Sequence, residues 1–547
     1  MADVVSIVFL IAAVQTGLSC QAAGAAEGPG LNGIFDVRDY GAVGDGVALD
    51  TTAIQAAMDA CARAGGGRVR LHNGAFLSGT LYLKSNVTLY VEAGAVLLGS
   101  TDLQDYPETV PAYRSYTDRY TDKSLIYAEQ AENIAIMGRG LIDGQGGSFK
   151  DPDGPPAASF AGPRNLYKAR HKARPYVMRI IECTNVMTKD LTFRNSAMWM
   201  QHYLACDGVV VDGISVHNRC NAQNNCLTID SCHNVRVSNC EFSSTDDAFE
   251  LKSTSNRPCK NVAVTNCILR TRSNALKLGT ESNGGFQNVT ISNCVIADAR
   301  RAGIALELVD GGAFDRVTVS NITMQDVGTP IFIHLGNRAR PFKEGMERPG
   351  MGSMQNITIS NIQATGASRT GCSITGLPGF PVENVTLDNI RIRFAGDGSK
   401  QDALRDVPEC AEDYPEDTMF GFLPAYGFYC RHASNVKMRH LDLGFEKEDH
   451  RPALVFEDVQ DLDVFDLDAQ AHPSALALIW LKHVDGAVIH GCRAPDTVTT
   501  FVRLDGNRSK DVTLMNNDLT KVQHVLEKAN DVGENAVHLD KNLRAAT

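Results

Sequence analysis

The chain is predicted to be an all-β, right-handed parallel β-helix with a short N-terminal capping helix. Three observations predict this fold: a phrase that recurs about every 27 residues, alternation of apolar and polar residues within each phrase, and no helical periodicity between phrases. The phrase, Asn-Val/Ile-x-hydrophobic-x-Asn, is clearest at 234–239, 261–266, 288–293, 356–361 and 384–389. Such a period is typical of a solenoid with three short strands per coil, and parallel crossovers are almost always right-handed.

The N-terminal residues 1–26 are predicted to be a signal peptide. An apolar run at 4–14 is too short to cross a bilayer, and a small-residue stretch at 22–26 follows it. We therefore expect a secreted or periplasmic protein without a membrane span.

The β-helix is predicted to extend as a single domain over residues 35–540. Asp50, Thr51 and Thr52 are expected to cap a helix over 53–63, which glycines at 65–67 end before a strand at 68–71. This helix would cover the open end of the first coil, as terminal units of a solenoid must. Loop insertions near 100–173 and 397–422 interrupt the coils and are expected to wall a groove.

The asparagines of each phrase occupy repeated positions at strand ends. At the strand spacing of about 4.8 Å, their side-chain amides are expected to stack and to bond to one another. Cys240, Cys267 and Cys294 each follow such an asparagine, and we expect their thiols to fill the coil interior as small apolar groups.

The composition excludes several classes of partner and cofactor. The net charge of −12 over 547 residues argues against a nucleic-acid partner, and no polybasic tail is present. No CxxC pair or Cys/His spacing typical of a metal site is visible, so no metal and no cofactor is expected.

One face of the solenoid carries charged residues that coil packing does not require. Aligned on the repeats, 227–230, 249–252, 276–279, 304–307 and 331–334 are strands on successive coils, with alternate residues pointing outward. The outward residues are Thr228, Asp230, Glu250, Lys252, Lys277, Ala305, Glu307, Phe332 and His334. Stacked charges of both signs indicate a site for a polar ligand.

Asp246 and Asp247 lie at the turn into this charged face. Adjacent carboxyl groups there could place an acid with a raised pKa beside an ionised partner, as glycoside hydrolysis requires. Glu307 is a candidate second carboxylate opposite Asp247, two rungs away and so roughly 10 Å along the helix from strand spacing alone. The alternative for Glu307 is a surface ion pair with Lys277.

Three ordered segments, 35–55, 140–146 and 244–253, resemble the polygalacturonase family, glycoside hydrolase family 28. The resemblance covers roughly residues 35–390. It implies a right-handed parallel β-helix that hydrolyses pectic and related polysaccharides with inversion. It also implies that Asp246 and Asp247 are among the catalytic carboxylates, one of them as the general acid.

The sequence departs from the family pattern at three places. Asn225 stands where the resemblance implies an aspartate. The family's Gly-His-Gly motif is replaced by the residues at 273–275. Its Arg-Ile-Lys motif, whose basic residues hold the substrate carboxylate in polygalacturonases, is replaced by the residues at 305–307. Polar residues elsewhere on these coils are expected to contact the substrate instead. The substrate-binding candidates are Asn225, Lys252, Arg272, Lys277, His202, His334 and Arg338.

These features predict an exported glycoside hydrolase whose partner is an acidic or complex polysaccharide, either pectic, rhamnogalacturonan-like or algal. Two alternatives stay open. A polysaccharide lyase on the same fold would use Lys252, Lys277 or Arg272 as its base, with calcium held by Asp246, Asp247 and Asp230. A non-catalytic carbohydrate-binding β-helix would explain the replaced family motifs.

Overall fold

The computed structural model describes residues 33–149 and 172–544, which form coil after coil of parallel strands. The predicted signal peptide and most of the basic segment at 164–172 lie outside the described residues. Strands of successive coils pair in register to form three parallel ladders, so the predicted parallel β-helix is confirmed.

The strands of the three ladders share this parallel pairing. The first ladder contains Ile34–Asp36, Gly67–Leu71, Val87–Val91, Glu132–Gly138, Thr184–Lys189, Asp207–Asp212, His233–Ser238, Cys259–Thr265, Asp485–His490, Lys510–Met515 and Val537–Asp540. The second contains Asp45–Leu49, Gly74–Ser78, Ala95–Gly99, Leu141–Asp143, Thr192–Arg194, Ser215–Asn218, Glu241–Ser244 and Ile268–Thr271, with Asp518–Leu519 and Leu543–Arg544 as a separate pair. The third contains Leu81–Tyr82, Ser124–Glu129, Tyr176–Ile181, Gln201–Leu204, Leu227–Asp230, Phe249–Ser253, Leu276–Ser282, Ala302–Leu308, Thr329–Leu335, Cys372–Thr375, Ile479–Lys482, Thr500–Asp505 and His524–Lys528. Long strands that turn from one ladder into the next are Gly285–Ala297, Ala313–Gln325, Ser353–Ala367, Val382–Phe394, Phe428–Phe445 and Leu454–Ala469.

The predicted N-terminal helix is present as Thr51–Arg63. Its buried face packs on the first strands, as expected of a cap over the open end of the coil. Asp50 is its N-cap residue, as predicted, but its carboxylate makes no bond to the helix and instead accepts hydrogen bonds from the backbone N–H groups of Val43 (2.7 Å) and Gly44 (3.0 Å). The other helices are short: Val37–Tyr40, Leu103–Asp105, Tyr116–Arg119, Gly146–Phe149 and Lys400–Ala403.

The predicted asparagine stacks are confirmed. Asn288, for example, has a φ of 56°, and its side-chain N–H donates to Asn261 Oδ1 at 2.8 Å. A left-handed residue at this turn is tolerated by asparagine because its short side chain bonds locally. The cysteines that follow, such as Cys267, are buried and unbridged, as predicted.

Both insertions cover the third ladder where the charged residues lie. In the first, the N–H of Tyr116 donates to the carbonyl of Thr254 at 2.8 Å. In the second, Phe420 joins Phe332 in one buried apolar cluster. The charged face is therefore enclosed between two loops rather than open along its length.

Candidate active site

The predicted register of the charged face is confirmed by the pairing of the third ladder. Strands Leu227–Asp230, Phe249–Ser253, Leu276–Ser282, Ala302–Leu308 and Thr329–Leu335 lie side by side. The outward residues pair as Thr228 with Glu250, Glu250 with Lys277, Lys277 with Ala305, and Glu307 with His334. Strict alternation in each strand sends their apolar neighbours into the coil.

Asp247 is a buried and heavily bonded carboxylate. Its Oδ1 accepts hydrogen bonds from Ser273 Oγ (2.8 Å) and from the backbone and side-chain N–H groups of Asn274 (3.1 and 2.9 Å). Its Oδ2 lies 3.1 Å from Lys277 Nζ. Burial alone would raise the pKa of Asp247, but the charges of Lys277 and Lys252 and these hydrogen bonds outweigh it and lower the pKa. Asp247 is therefore ionised.

Asp246 has a pKa shifted in the opposite direction although it is the adjacent residue. The turn after Glu241–Ser244 is held by Ser244 Oγ, which donates to the Asp246 carbonyl at 2.5 Å, and the Asp246 side chain is half-buried. Burial, followed by the negative charge of Asp247, raises the pKa of Asp246 to about 6. The pair thus combines a half-buried carboxyl group whose pKa is raised with a buried neighbour whose pKa is lowered.

Glu307 lies opposite Asp247 across one ammonium group. Lys277 Nζ is 3.1 Å from Asp247 Oδ2 and 3.8 Å from Glu307 Oε2. These two carboxylate oxygens are therefore at most about 7 Å apart. The two catalytic carboxyl groups of inverting glycosidases are separated by roughly 6.5–9.5 Å. The alternative ion pair between Lys277 and Glu307 is present, but it is buried rather than at the surface. Burial raises the pKa of Glu307 to about 7.

The close approach of Glu307 depends on Gly279. This residue has a φ of 128°, and a Cβ there would lie 2.8 Å from the Cβ of Glu307. Thr280 then donates its hydroxyl to Glu307 Oε2 at 3.1 Å. A glycine is required here by both the backbone conformation and the contact.

A second buried cluster surrounds Lys252. Its ammonium lies 3.0 Å from Glu250 Oε2 and 2.9 Å from Glu281 Oε2. Glu250 also accepts hydrogen bonds from Asn225 and from Thr228 (2.6 Å), so Asn225 is placed beside a carboxyl group. Burial raises the pKa of Glu250 to about 7. The pKa of Glu281 is well below its ordinary value because nearby cations outweigh the effect of burial.

Arg338 is buried beside the same cluster. Its Nε donates to Asp310 Oδ1 at 2.9 Å, and a second nitrogen lies 3.7 Å from Glu281. The guanidinium is also 5.5 Å from the ring of Tyr414. This predicted substrate-binding residue is thus brought to the site with its charge already paired.

Two site residues, Tyr414 and Glu416, were not predicted from the sequence. Tyr414 and Glu416 come from the second insertion, where Tyr414 Oη contacts Thr280 at 3.0 Å and Glu416 pairs with Arg301. Burial raises the pKa of Glu416 to about 8. Insertions have no periodicity from which the positions of their side chains could be predicted. The sequence feature that could have pointed to these residues was Tyr-Pro-Glu within an acidic loop.

His202 lies at the opposite end of the charged face. Its Nε2 is 3.2 Å from Asp230 Oδ2, and its ring packs on Trp199 and Tyr176. Trp199 is itself buried, although its ring lies 5.4 Å from Lys252 Nζ. Burial lowers the pKa of His202, which is a neutral ring in the wall of the site.

Two predicted binding residues are not gathered into the cluster. The ring of His334 packs between Phe332 and Phe420, and burial lowers its pKa to about 3, so it carries no charge for an anion. Arg272 is exposed, because the neighbouring Ser273 is the residue that turns toward Asp247.

The residues expected of a lyase are not arranged for elimination. The carboxylates of Glu250 and Glu281 raise the pKa of Lys252 well above its ordinary value despite burial, so its amine is protonated and cannot act as the base. Asp230 is occupied by His202 and by Thr254, whose hydroxyl donates at 2.6 Å. Among the described residues it does not join Asp246 and Asp247 at distances that would hold calcium.

The comparisons with known proteins agree with this fold. The chain is 31% identical over 226 residues to a probable polygalacturonase of Vitis vinifera, covering 39% of this chain and 43% of the relative. It is 30% identical over 254 residues to an exo-poly-alpha-D-galacturonosidase of Dickeya chrysanthemi, covering 40% and 42%. The matches thus span about two fifths of the length of these curated relatives.

Solved exopolygalacturonases share the architecture. The enzyme of Yersinia enterocolitica superposes with a TM-score of 0.60 at 20% identity over 80% of this chain and 79% of its own. That of Thermotoga maritima gives 0.57 at 20% identity over 75% and 92%. These neighbours confirm a right-handed parallel β-helix. The model of glycosyl hydrolases family 28 matches residues 69–412, more than half of the sequence. The chain therefore belongs to glycosyl hydrolases family 28.

Proposed function

We propose that this protein is an exported glycoside hydrolase that cleaves O-glycosyl bonds of a pectic or related acidic polysaccharide with inversion. Family membership and the names of the relatives support hydrolysis of galacturonide-containing chains. The observation that carries the proposal is the Asp246–Asp247 pair, in which a half-buried carboxyl group with a raised pKa adjoins a buried carboxylate bonded to Ser273, Asn274 and Lys277.

Each carboxyl group has a distinct role in the proposed reaction. Asp246 gives its proton to the leaving glycosidic oxygen as the bond from that oxygen to the anomeric carbon breaks. Asp247 accepts a proton from a water molecule whose oxygen forms the new bond to that carbon. Lys277 keeps Asp247 ionised, and Glu307 fixes Lys277 from the other side. Proton exchange with solvent then restores the pair.

The second insertion supports attack at chain ends. Tyr414 and Glu416 lie over the cluster and are tied to Thr280 and Arg301. A long polysaccharide therefore meets a barrier at this end of the charged face. Two similar proteins are named as exo-acting enzymes, which is in line with this arrangement.

A product screen tests the proposal. The purified protein is incubated with pectic, rhamnogalacturonan, ulvan and fucoidan oligosaccharides, and the products are read by mass spectrometry. We expect fragments that have gained one water from the wild type and none from Asp247→Asn. Asp496→Asn is the matched control, because that aspartate is exposed and distant in sequence, and it should retain full activity. Fragments lacking the added water indicate elimination, and binding without turnover indicates a non-catalytic β-helix.

Export is proposed from residues 1–26. Among the described residues no helix is long and apolar enough to span a membrane. N-terminal sequencing of the protein recovered outside the cytoplasm should begin near residue 27, whereas an intact Met1 would contradict cleavage.

A further inference from the structure

Two loops on adjacent coils bring together two histidines and a glutamate far along the chain from the Asp246 site. Glu448 and His450 lie between strands Phe428–Phe445 and Leu454–Ala469, and His472 lies in the next loop, before Ile479–Lys482. One potential ligand atom from each residue lies within 4.8 Å of the others. No metal-ligand spacing is visible here in the sequence because the ligands come from different coils.

The two imidazoles are held in a fixed relation. Their ring centroids are 4.1 Å apart, and both Nδ1 atoms contact the hydroxyl of Ser474, at 2.7 Å from His450 and 2.9 Å from His472. The Nε2 of His472 lies 3.7 Å from Glu448 Oε2. One hydroxyl thus orients both rings, which is how metal-binding histidines are commonly fixed through their second nitrogen.

We propose that Glu448, His450 and His472 form a binding site for a zinc-like divalent transition metal. Imidazole nitrogens with one carboxylate are a ligand set that zinc accepts, with water in the fourth position. Ligand atoms around zinc stand roughly 3.4 Å apart, so the three side chains, whose ligand atoms lie within 4.8 Å of one another, must move closer together to bind it. The backbone N–H of Ser474 donates to His472 Nδ1 at 3.2 Å, so this nitrogen carries no proton in the structure. Metal binding at Nε2 moves the ring proton to Nδ1, which exchanges this bond for one donated to the Ser474 hydroxyl.

The loop that carries Glu448 and His450 also anchors the second insertion. The N–H of Asp397 donates to the Glu448 carbonyl at 3.1 Å, and the N–H of His450 donates to the Gly398 carbonyl at 2.9 Å. Arg451, paired with buried Asp449, donates to the carbonyl of Leu423 at 3.0 Å, just beyond the end of the insertion.

A metal that joins this loop to the His472 loop therefore braces both ends of the insertion that lies over the candidate active site. This inference does not rest on the proposed function, because metal binding is measured without substrate.

Calorimetry tests the site directly. The full chain is treated with EDTA and titrated with ZnCl₂ at neutral pH, with MgCl₂ as the comparison ion. We expect one zinc per chain, no magnesium binding, and at least about 100-fold weaker zinc binding in His450→Ala/His472→Ala, since two of three ligands are gone. His440→Ala is the control, because His440 is an exposed histidine bonded to Asp388 and should leave zinc binding unchanged.

Equal zinc binding by wild type and the double variant, or no binding by either, would overturn the site. Circular dichroism of the double variant checks that it is folded. Limited proteolysis tests the bracing role: zinc should slow cleavage within 397–422 in the wild type and leave the double variant unaffected. Zinc that binds without slowing this cleavage would overturn the bracing role.

Discussion

At the residue scale, Asp246 and Asp247 show how two identical neighbours acquire pKa values shifted in opposite directions. Asp247 receives three hydrogen bonds and an ammonium group, whereas Asp246 is half-buried beside that negative charge. The difference comes from the coil that follows, which contributes Ser273, Asn274 and Lys277. Separated pKa values of this kind assign acid and base roles in glycosidases.

The pH dependence of the reaction follows from this pair. Asp246 must be protonated to act, and its pKa is raised to about 6, so kcat/KM should fall about tenfold per pH unit above pH 6. Asp247 has a lowered pKa and stays ionised through this range. Initial rates between pH 4 and 9 measure the alkaline limb, and the residual rate of Asp246→Asn should lack it. A rate that rises through pH 7 would exclude Asp246 as the acid.

At the element scale, the second insertion and the β-helix coils depend on different forces. The coils are held by regular ladders and asparagine stacks, whereas the insertion is attached to the site by a few specific contacts. Arg301 is one of these, since it pairs with Glu416 and lies 3.9 Å from Asp417. The two kinds of element should therefore respond differently to single substitutions.

Arg301→Ala should loosen the insertion without unfolding the β-helix. The pair with Glu416 is largely buried, and its loss leaves two acids without a cation, at a cost of about 1–3 kcal/mol. We expect at least tenfold faster proteolysis within 397–422 and a higher KM. Arg348→Ala is the matched control, because its pair with Glu412 is exposed and worth little. Equal proteolysis of both variants would refute the anchoring role.

Asn288→Ala should destabilise the coils. The substitution removes the hydrogen bonds to Asn261 and from Arg316 and places alanine at a φ of 56°, which together cost about 1–3 kcal/mol. Urea unfolding monitored by circular dichroism gives the difference. Thr290→Ala, an exposed position on the same strand, should change the free energy of unfolding by less than about 0.5 kcal/mol. An equal effect of the two substitutions would argue against the stack.

At the scale of the whole molecule, periodicity decides what the sequence can predict. Because each coil repeats the same alternation, the strands, the asparagine stacks and the register that aligns Glu250 with Lys277 followed directly from the sequence. The contacts of Tyr414 and Glu416 did not, because they depend on how a non-repeating loop packs. Asp50 is a similar case, since its side chain accepts hydrogen bonds from the backbone N–H groups of Val43 and Gly44 rather than from the helix.

The most direct test of the account is the stereochemistry of the first product. With an α-linked pectic oligosaccharide that the protein cleaves, ¹H NMR in the first minutes should show the β-anomer, because water displaces the leaving group from the opposite face. Asp247→Asn should give neither anomer. An initial α-anomer from the wild type would contradict inversion and would require a carboxylate that attacks the sugar directly.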